Sequence, residues 1–281
     1  MTIDQHAMPA LTTAPARNRS PLTTPLAARI TFYLAFLTFW TLLSMIADRV
    51  PSPLAVVEML WQETVDGEVV SNFLLTNSRF LVGVAIAVVL GILIGLVVGS
   101  SSLTRALFSD IVLVGLSIPA IIWAFLSTMW FGFSWEAPVT TSALATTPYI
   151  AVNVAKGLQG VSRDLRDMSA VYGVGLRRRV RELLLPAVAG YVVAGLRIGL
   201  IIGWNAVLLS EWFGGADGVG FRARYWYDGM NYAGFTAWVI LFVLYVVIVD
   251  RLILMRISRR LFAWRDVNAT NLKPVKKPAE S

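Results

Sequence analysis

Two ionisable residues, Arg197 and Glu211, lie in or next to the otherwise apolar segment 189–210. An unpaired charge surrounded by lipid costs roughly several kcal/mol, so each side chain is expected to contact water, a transport path or a charged partner. Fourteen residues separate the two, about 21 Å along a helix, so they cannot pair with each other. Arg197 alternatively extends its guanidinium to the nearer membrane surface.

Uncharged polar and aromatic side chains supply further candidates for a path through the membrane. Trp204 and Asn205 lie about midway along segment 189–210, and Thr128 and Asn153 lie within other apolar segments. Together with Glu211, these four residues are the candidate path-lining set. Packing between helices is the alternative role for each of them.

The residue types present exclude most catalytic chemistry. The chain has no Cys and a single His, His6, so disulfides and sites built on Cys or His ligands are excluded. None of its four lysines lies in the G-x-x-x-x-G-K-[ST] pattern that cradles nucleotide phosphates. We therefore expect no enzyme activity, no metal site and no cofactor bound by this chain.

Long uncharged runs must position these residues. A hydrocarbon core of about 30 Å requires roughly 20 helical residues. Five segments of suitable length contain no charge, and segment 189–210 is a sixth that carries only Arg197. The five are 30–47, 80–104, 111–135, 137–155 and 229–249. The runs are continuously apolar and do not alternate like barrel strands, so the sequence predicts an all-α integral membrane protein with about six transmembrane helices.

The distribution of basic residues predicts the orientation. Arg and Lys concentrate before segment 30–47, between segments 137–155 and 189–210, and after segment 229–249. This distribution places both termini in the cytoplasm. Residues 1–26 and 257–281 are predicted to be cytoplasmic tails, disordered and basic respectively, around a transmembrane domain at 27–256 with its core at about 74–254. The net charge of +7 then reflects contact with lipid headgroups and requires no nucleic acid.

The polar connection 157–188 is the largest predicted cytoplasmic segment between spans. Ser162 can cap a short helix with Asp164 in its first turn, and Gly173-Val174-Gly175 interrupts that helix. A second helix over 176–185 is predicted to stop at Pro186. From composition alone, an amphipathic loop at the lipid headgroups is one interpretation of this pair.

The spacing within this connection resembles the cytoplasmic signature of the permease subunits of binding-protein-dependent ABC importers. That signature is E-A-A-x-x-x-G, followed after nine residues by I-x-L-P. The Gly and the Leu-Pro pair match, whereas Asp, Met, Ser and Leu replace Glu, the two Ala and Ile. The corresponding residues are Asp167, Met168, Ser169, Gly173, Leu183, Leu184, Leu185 and Pro186.

Further segments are similar to the nitrate, sulfonate, taurine and bicarbonate branch of that family, and the resemblance covers about residues 51–256. They are Pro51-Ser52-Pro53, Gly91, Gly95, Gly99, Trp130-Phe131-Gly132, Gly195-Leu196-Arg197, Trp204, Glu211 and Gly218-Val219-Gly220. The three glycines at 91, 95 and 99 allow close approach of a helix either within the chain or from a second copy.

This resemblance implies a type I ABC importer permease in the bacterial plasma (inner) membrane. Two permeases would form the path, two cytoplasmic ATPases would hydrolyse ATP, and an extracytoplasmic binding protein would deliver a small solute. An organic or inorganic anion such as a sulfonate, nitrate or an aromatic acid is favoured. Residues 167–173, with Leu185 and Pro186, would couple the permease to the ATPase. The sequence does not distinguish a homodimer from a heterodimer.

Two other classes of membrane protein compete with this interpretation, and a permease-like subunit that acts in export or sensing is a third alternative. An ion-coupled secondary transporter would use carboxylates within its spans, but the predicted spans contain almost none. An intramembrane enzyme would need an acid-base or metal centre, and neither H-E-x-x-H nor G-x-S-x-G occurs.

Overall fold

The computed structural model describes residues 25–249 and residue 251, and every regular element in that part of the chain is a helix. The predicted tails at 1–26 and 257–281 lie outside the described residues, except that Pro25 and Leu26 begin the first helix. The α-helices are α1 Pro25–Ile46, α2 Pro53–Val65, α3 Glu68–Ser100, α4 Ser102–Ser117, α5 Ala120–Phe131, α6 Glu136–Gln159, α7 Arg163–Val171, α8 Leu176–Arg179, α9 Leu185–Gly214, α10 Val219–Asp228 and α11 Tyr232–Val249.

The chain divides into two compact units, Met1–Pro53 and Leu54–Ser281. The described part of the first unit is α1 and the turn after it, where the Trp40 indole donates a hydrogen bond to the Pro51 carbonyl at 3.0 Å. The large apolar side chains of α1 are exposed, as expected of a helix that faces lipid. The second unit contains the remaining helices and every site discussed below.

Four helices are long and apolar enough to cross a membrane, and a fifth span is present if the bent pair α4 and α5 is counted as one. The four are Leu26–Ile46, Glu68–Ser100, Arg177–Gly214 and Tyr232–Val249. The prediction of one uninterrupted span at 111–135 is wrong, because α4 and α5 meet at 93°. Pro119 causes the break, since it disfavours helical backbone at Ile118, which is extended with φ −73° and ψ 118°.

Helix α6 corresponds to the predicted span at 137–155 and forms the centre of the second unit. It packs most extensively against α3 and α9, and many of its residues are buried. These include Thr141, Ser142 and Thr146, each fully buried. At about 1.5 Å per residue its 24 residues reach about 36 Å, enough to cross a bilayer. Its Ser and Thr content, which lowers its hydropathy, is tolerated because neighbouring helices cover it.

The glycines at 91, 95 and 99 lie on α3 where it crosses α6. An added Cβ would lie 2.7 Å from Cβ of Ile150 at position 91 and 2.9 Å from Cβ of Leu158 at position 99. Glycine therefore allows the two backbones to approach more closely than any side chain would permit. The glycine stripe serves packing within the chain, which was one of the two interpretations left open by the sequence.

The connection between α6 and α9 follows the prediction up to Gly173 and then departs from it. The Ser162 hydroxyl accepts a hydrogen bond from the Leu165 N–H at 3.4 Å, and Gly173 has φ +60° after α7. The predicted stop at Pro186 is wrong, because one continuous helix runs over Arg177–Gly214. A π-helical turn, Val180–Leu184, precedes Pro186, and the Leu185 N–H bonds to the Val180 carbonyl. Pro186 follows this π-turn within two residues, and the changed hydrogen-bond pattern of the turn lets the helix continue past a residue that has no N–H.

Candidate functional site

A buried carboxylate, Glu211, organises the end of the second unit at which α10 lies, called here the α10 end. Its side chain is fully buried, and its Oε1 accepts hydrogen bonds at 2.9 Å from both Thr76 Oγ1 and Arg79 Nη1. Its Oε2 accepts from Thr76 Oγ1 at 2.9 Å and from the Gly220 N–H at 3.0 Å. Arg79 also bonds to the side chain of Asp217 and donates to the Asp217 carbonyl at 3.2 Å. We refer to Thr76, Arg79, Glu211 and Asp217 as the Glu211 cluster.

The Glu211 cluster fixes the connection from α9 to α10. Two more backbone donors of this connection are satisfied by α3, since the Gly218 N–H bonds to Asn72 Oδ1 at 2.8 Å and the Val219 N–H bonds to Thr76 Oγ1 at 2.9 Å. Gly218 has φ +97°, and a Cβ there would collide with the Glu211 carboxylate. A buried ion pair is favourable only when further hydrogen bonds satisfy its remaining groups. Both carboxylate oxygens of Glu211 and the two terminal nitrogens of Arg79 have partners, whereas Arg79 Nε is buried without one among the described residues.

A second ion pair attaches α10 to α2. Arg222 donates from Nε to Glu63 Oε2 at 3.0 Å and from Nη2 to Glu63 Oε1 at 3.1 Å, a bidentate arrangement. The Trp238 indole of α11 donates to the same Glu63 Oε2 at 2.9 Å. Burial alone would lower the pKa of Arg222, but the hydrogen bond and the charge of Glu63 outweigh it and raise that pKa. Helices α10 and α11 therefore converge on one carboxylate of α2.

A cavity of about 720 Å³ opens between α3, α9 and α11. Its walls are mainly aromatic and aliphatic, and four polar side chains line it, namely Asn77, Asn205, Arg197 and Arg251. Trp204 stacks on Phe80 with ring centroids 4.0 Å apart and meets Tyr245 edge-on at 5.2 Å. The Tyr245 hydroxyl bonds to Asn77 Oδ1. We call this space the aromatic cavity.

The structure brings two of the five candidate path-lining residues together and places the other three elsewhere. Trp204 and Asn205 both line the aromatic cavity, Trp204 mainly buried and Asn205 exposed. Thr128 of α5 lies against Gly214 of α9, and Asn153 of α6 donates to the Tyr149 carbonyl at 2.8 Å and lies against Gly195. Glu211 belongs to the cluster described above. A role for these residues in transport stays a prediction.

The opposite end of the second unit, called here the α7 end, presents apolar side chains without cover from the described residues. Val171 is 84% exposed, Tyr172 77% and Met168 55%. Asp167, Leu185 and Pro186 are also exposed, and Ser169 is half-buried. Helix α7 carries its polar and apolar residues on different faces, which is typical of a helix that docks on a partner.

A family model described as "Binding-protein-dependent transport system inner membrane component" matches residues 87–262. The chain belongs to this family. It is therefore a permease, a membrane-embedded transport component with the fold of type I ABC importers, and its family functions with binding proteins. Permeases of this family are transport components and are not catalytic.

Permeases from several bacteria are similar over most of their length. The nitrate import permease protein NrtB of Synechococcus elongatus is 25% identical over 253 residues, which cover 84% of this chain and 90% of the relative. The taurine transport system permease protein TauC of Escherichia coli is 24% identical and covers 71% of this chain and 78% of the relative. A solved structure of the MetNI methionine ABC transporter in an inward-facing conformation shares the fold, with a TM-score of 0.61, 23% identity, and coverage of 70% of this chain and 98% of that one.

Sequence reasoning missed the partners of Glu211 in this permease. Arg79 directly precedes the apolar run at 80–104, and the positive-inside pattern by itself indicates only that this charge lies outside the membrane. A signal was present, because Asn72, Thr76 and Arg79 follow the i, i+4, i+7 spacing that places residues on one helical face. Helix α3 begins at Glu68, about three turns before the apolar run, so this polar face packs against α9.

Proposed function

We propose that this permease imports a small organic or inorganic anion across the bacterial inner membrane by alternating access, driven by separate ATPase subunits. The exposed apolar face of α7, next to the left-handed Gly173, is the observation that carries this proposal. If this face docks on an ATPase, movement of the ATPase would be transmitted through α7 and α8 to the long helix that ends at Gly214. ATP would be bound by that partner and not by the permease chain.

The choice of an anion as solute comes from the relatives. Three kinds of relative are named for nitrate, aliphatic sulfonates and taurine, each of which carries an anionic group, and one relative is named for formylaminopyrimidine, which does not. We propose that a second permease copy, identical or different, completes the path and that an extracytoplasmic binding protein delivers the solute. The α10 end would then face the binding protein, and the α7 end would face the cytoplasm.

The proposal is tested by purifying the tagged chain from its native host in mild detergent, identifying the proteins bound to it by mass spectrometry and assaying ATP hydrolysis. Recovery of a P-loop ATPase, with release on substitution of Asp167 or Gly173, supports the proposal. A stable assembly that hydrolyses no ATP and contains no ATPase contradicts it and favours an ion-coupled transporter.

Replacing Gly173 by Val is expected to lower transport-coupled ATP hydrolysis by a factor of about 5 to 30. A β-branched residue at φ +60° costs roughly 1–2 kcal/mol, which depopulates the conformation of the turn. Gly175→Val is the matched control, because Gly175 lies two residues away, lacks a left-handed φ and has open space around its Cβ position. The measurement is solute-stimulated ATPase activity of the reconstituted complex. Equal activity of both variants would count against a coupling role for this turn.

Converting Arg177, Arg178 and Arg179 to Glu is expected to reduce the fraction of chains that insert with the α7 end in the cytoplasm. All three lie in the first turn of the long helix Arg177–Gly214, and basic residues close to the end of a span favour the cytoplasmic side. Because the chain has no Cys, a single Ser162→Cys substitution reports the side of the membrane through labelling by an impermeant maleimide. An unchanged labelling pattern would mean that the other basic segments set the orientation.

A further inference from the structure

We propose that the aromatic cavity binds an amphipathic organic anion, in which an acidic group is attached to an aromatic ring or a short apolar chain. The cavity would thereby select such solutes over inorganic anions within the permease itself. This inference rests on the proposed import function and adds the solute class and the residues that recognise it. It gives the permease a selectivity of its own, separate from that of a binding protein.

The acidic group would be held by Arg197 and Arg251. Both line the cavity, and neither has a carboxylate at ion-pair distance within residues 25–249 and 251. Arg197 precedes Trp204 by seven residues, about 11 Å along α9 towards the α7 end. Arg251 follows the last turn of α11, which runs back towards the same end. Two guanidinium groups lining one mainly apolar space attract an anion, and guanidinium matches carboxylates and sulfonates in geometry.

The apolar body would lie against the aromatic wall. Phe80, Trp204 and Tyr245 form a contiguous surface, with Phe242 edge-on to Trp204 at 6.0 Å. Such rings contribute to binding through buried area and offset or edge contacts with another ring. Nitrate has no surface that could use this wall, so the wall distinguishes organic from inorganic anions.

The size of the cavity agrees with this class of ligand. A volume of about 720 Å³ lies within the range of roughly 300–1,000 Å³ typical of sites for organic ligands. The cavity combines a predominantly apolar lining with a few polar groups, the usual pattern of such sites. Asn77 and Asn205 also line the cavity, and because each uses one N–H on a carbonyl of its own helix, the second N–H of each remains for a carbonyl or hydroxyl substituent.

An anionic phospholipid has the same chemistry, an acidic headgroup next to an apolar body, so the test must distinguish a free solute from a lipid. The full-length chain, with any co-purified ATPase, is reconstituted into nanodiscs of phosphatidylcholine alone or with roughly 30% phosphatidylglycerol, which supplies anionic headgroups. Binding of 4-toluenesulfonate is measured by equilibrium dialysis. Nitrate and the uncharged 4-toluenesulfonamide serve as competitors that lack the apolar body and the charge, respectively.

The expected result is saturable binding of 4-toluenesulfonate in both nanodisc compositions, with at least about tenfold weaker competition by nitrate and by the sulfonamide. Arg197→Gln should weaken binding by about tenfold or more, since a hydrogen bond to a charged group is lost. Arg251→Gln should act similarly, and Trp204→Leu should weaken binding of 4-toluenesulfonate more than that of nitrate. Arg105→Gln, on α4 and outside the cavity lining, is the control and should bind like the wild type.

Equal competition by nitrate, or unchanged binding after Arg197→Gln, would overturn the inference. Binding in phosphatidylcholine that disappears with phosphatidylglycerol would assign the cavity to lipid and would also overturn it. Because binding is measured without transport, its failure is separable from failure of the proposed function. Recovery of an ATPase without 4-toluenesulfonate binding rejects only the assignment of the cavity.

Discussion

Replacing Glu211 by Gln is expected to destabilise the permease by about 3–5 kcal/mol, the usual cost of breaking a buried ion pair at one partner. Three donors, from Thr76, Arg79 and Gly220, converge on the two carboxylate oxygens. The amide of Gln places an NH₂ group opposite at least one of them and leaves the buried guanidinium of Arg79 without its full counter-charge. The measurement is the temperature at which the detergent-solubilised protein loses its monodisperse peak.

The matched control for this prediction is Glu182→Gln. Glu182 also pairs with an arginine, Arg178 at 2.9 Å, but these side chains are 60% and 72% exposed. Exposed pairs contribute about 0–1 kcal/mol, so this variant should unfold close to the wild-type temperature. A double variant, Glu211→Gln with Arg79→Met, should recover part of the loss because it removes the uncompensated charge. If Glu211→Gln and Glu182→Gln behave alike, the Glu211 cluster does not stabilise the α10 end.

Replacing Gly95 by Ala is expected to lower stability by about 1–3 kcal/mol, the typical cost of overpacking. The added methyl group would lie 2.5 Å from Cβ of Val154 and 2.6 Å from the carbonyl oxygen of Ala151. One of these atoms belongs to the backbone of α6, so α3 and α6 must separate to make room. Intrinsic helix propensity favours Ala over Gly by about 1 kcal/mol, so any net loss is due to packing.

Unfolding temperatures of Gly95→Ala and Gly175→Ala provide the comparison. A Cβ at position 175 meets no atom within 4 Å, and we expect little change there. A Gly95→Ala variant as stable as the wild type would show that α3 and α6 have room to move apart, contrary to the contact described. Activity is not needed for this measurement, so it applies to the isolated chain.

The helical fold could be predicted from the sequence because long uncharged runs allow few other structures in a membrane. The bend between α4 and α5 could not, although Pro119 was visible, because proline is also tolerated within membrane helices. The same ambiguity affected Pro186, where the π-turn at Val180–Leu184 allows the helix to continue. Hydrophobicity predicts whether a segment enters a bilayer, but it does not predict where the helix bends or whether it continues past a proline.

The candidate site was less predictable than the fold. The left-handed turn at Gly173 could be predicted because glycine adopts that conformation without strain. The shared location of Trp204 and Asn205 could be predicted because they are neighbours on one helix. The partner of Glu211 required a tertiary contact between residues more than 130 positions apart. The aromatic cavity combines side chains from three helices, and Arg197 is explained equally well in the sequence by extension to the membrane surface.

The uninterrupted helix Arg177–Gly214 also restricts which insertions and deletions the gene can accept. Arg197 and Glu211 lie on it, one in the aromatic cavity and the other in the buried cluster, so their relative angle about the helix axis is fixed by the residue count between them. One residue inserted between them would rotate Arg197 relative to Glu211 by about 100° around the helix axis and shift it by about 1.5 Å along that axis. Length changes should therefore accumulate in the tails and be nearly absent between these two positions, even where the side chains themselves vary.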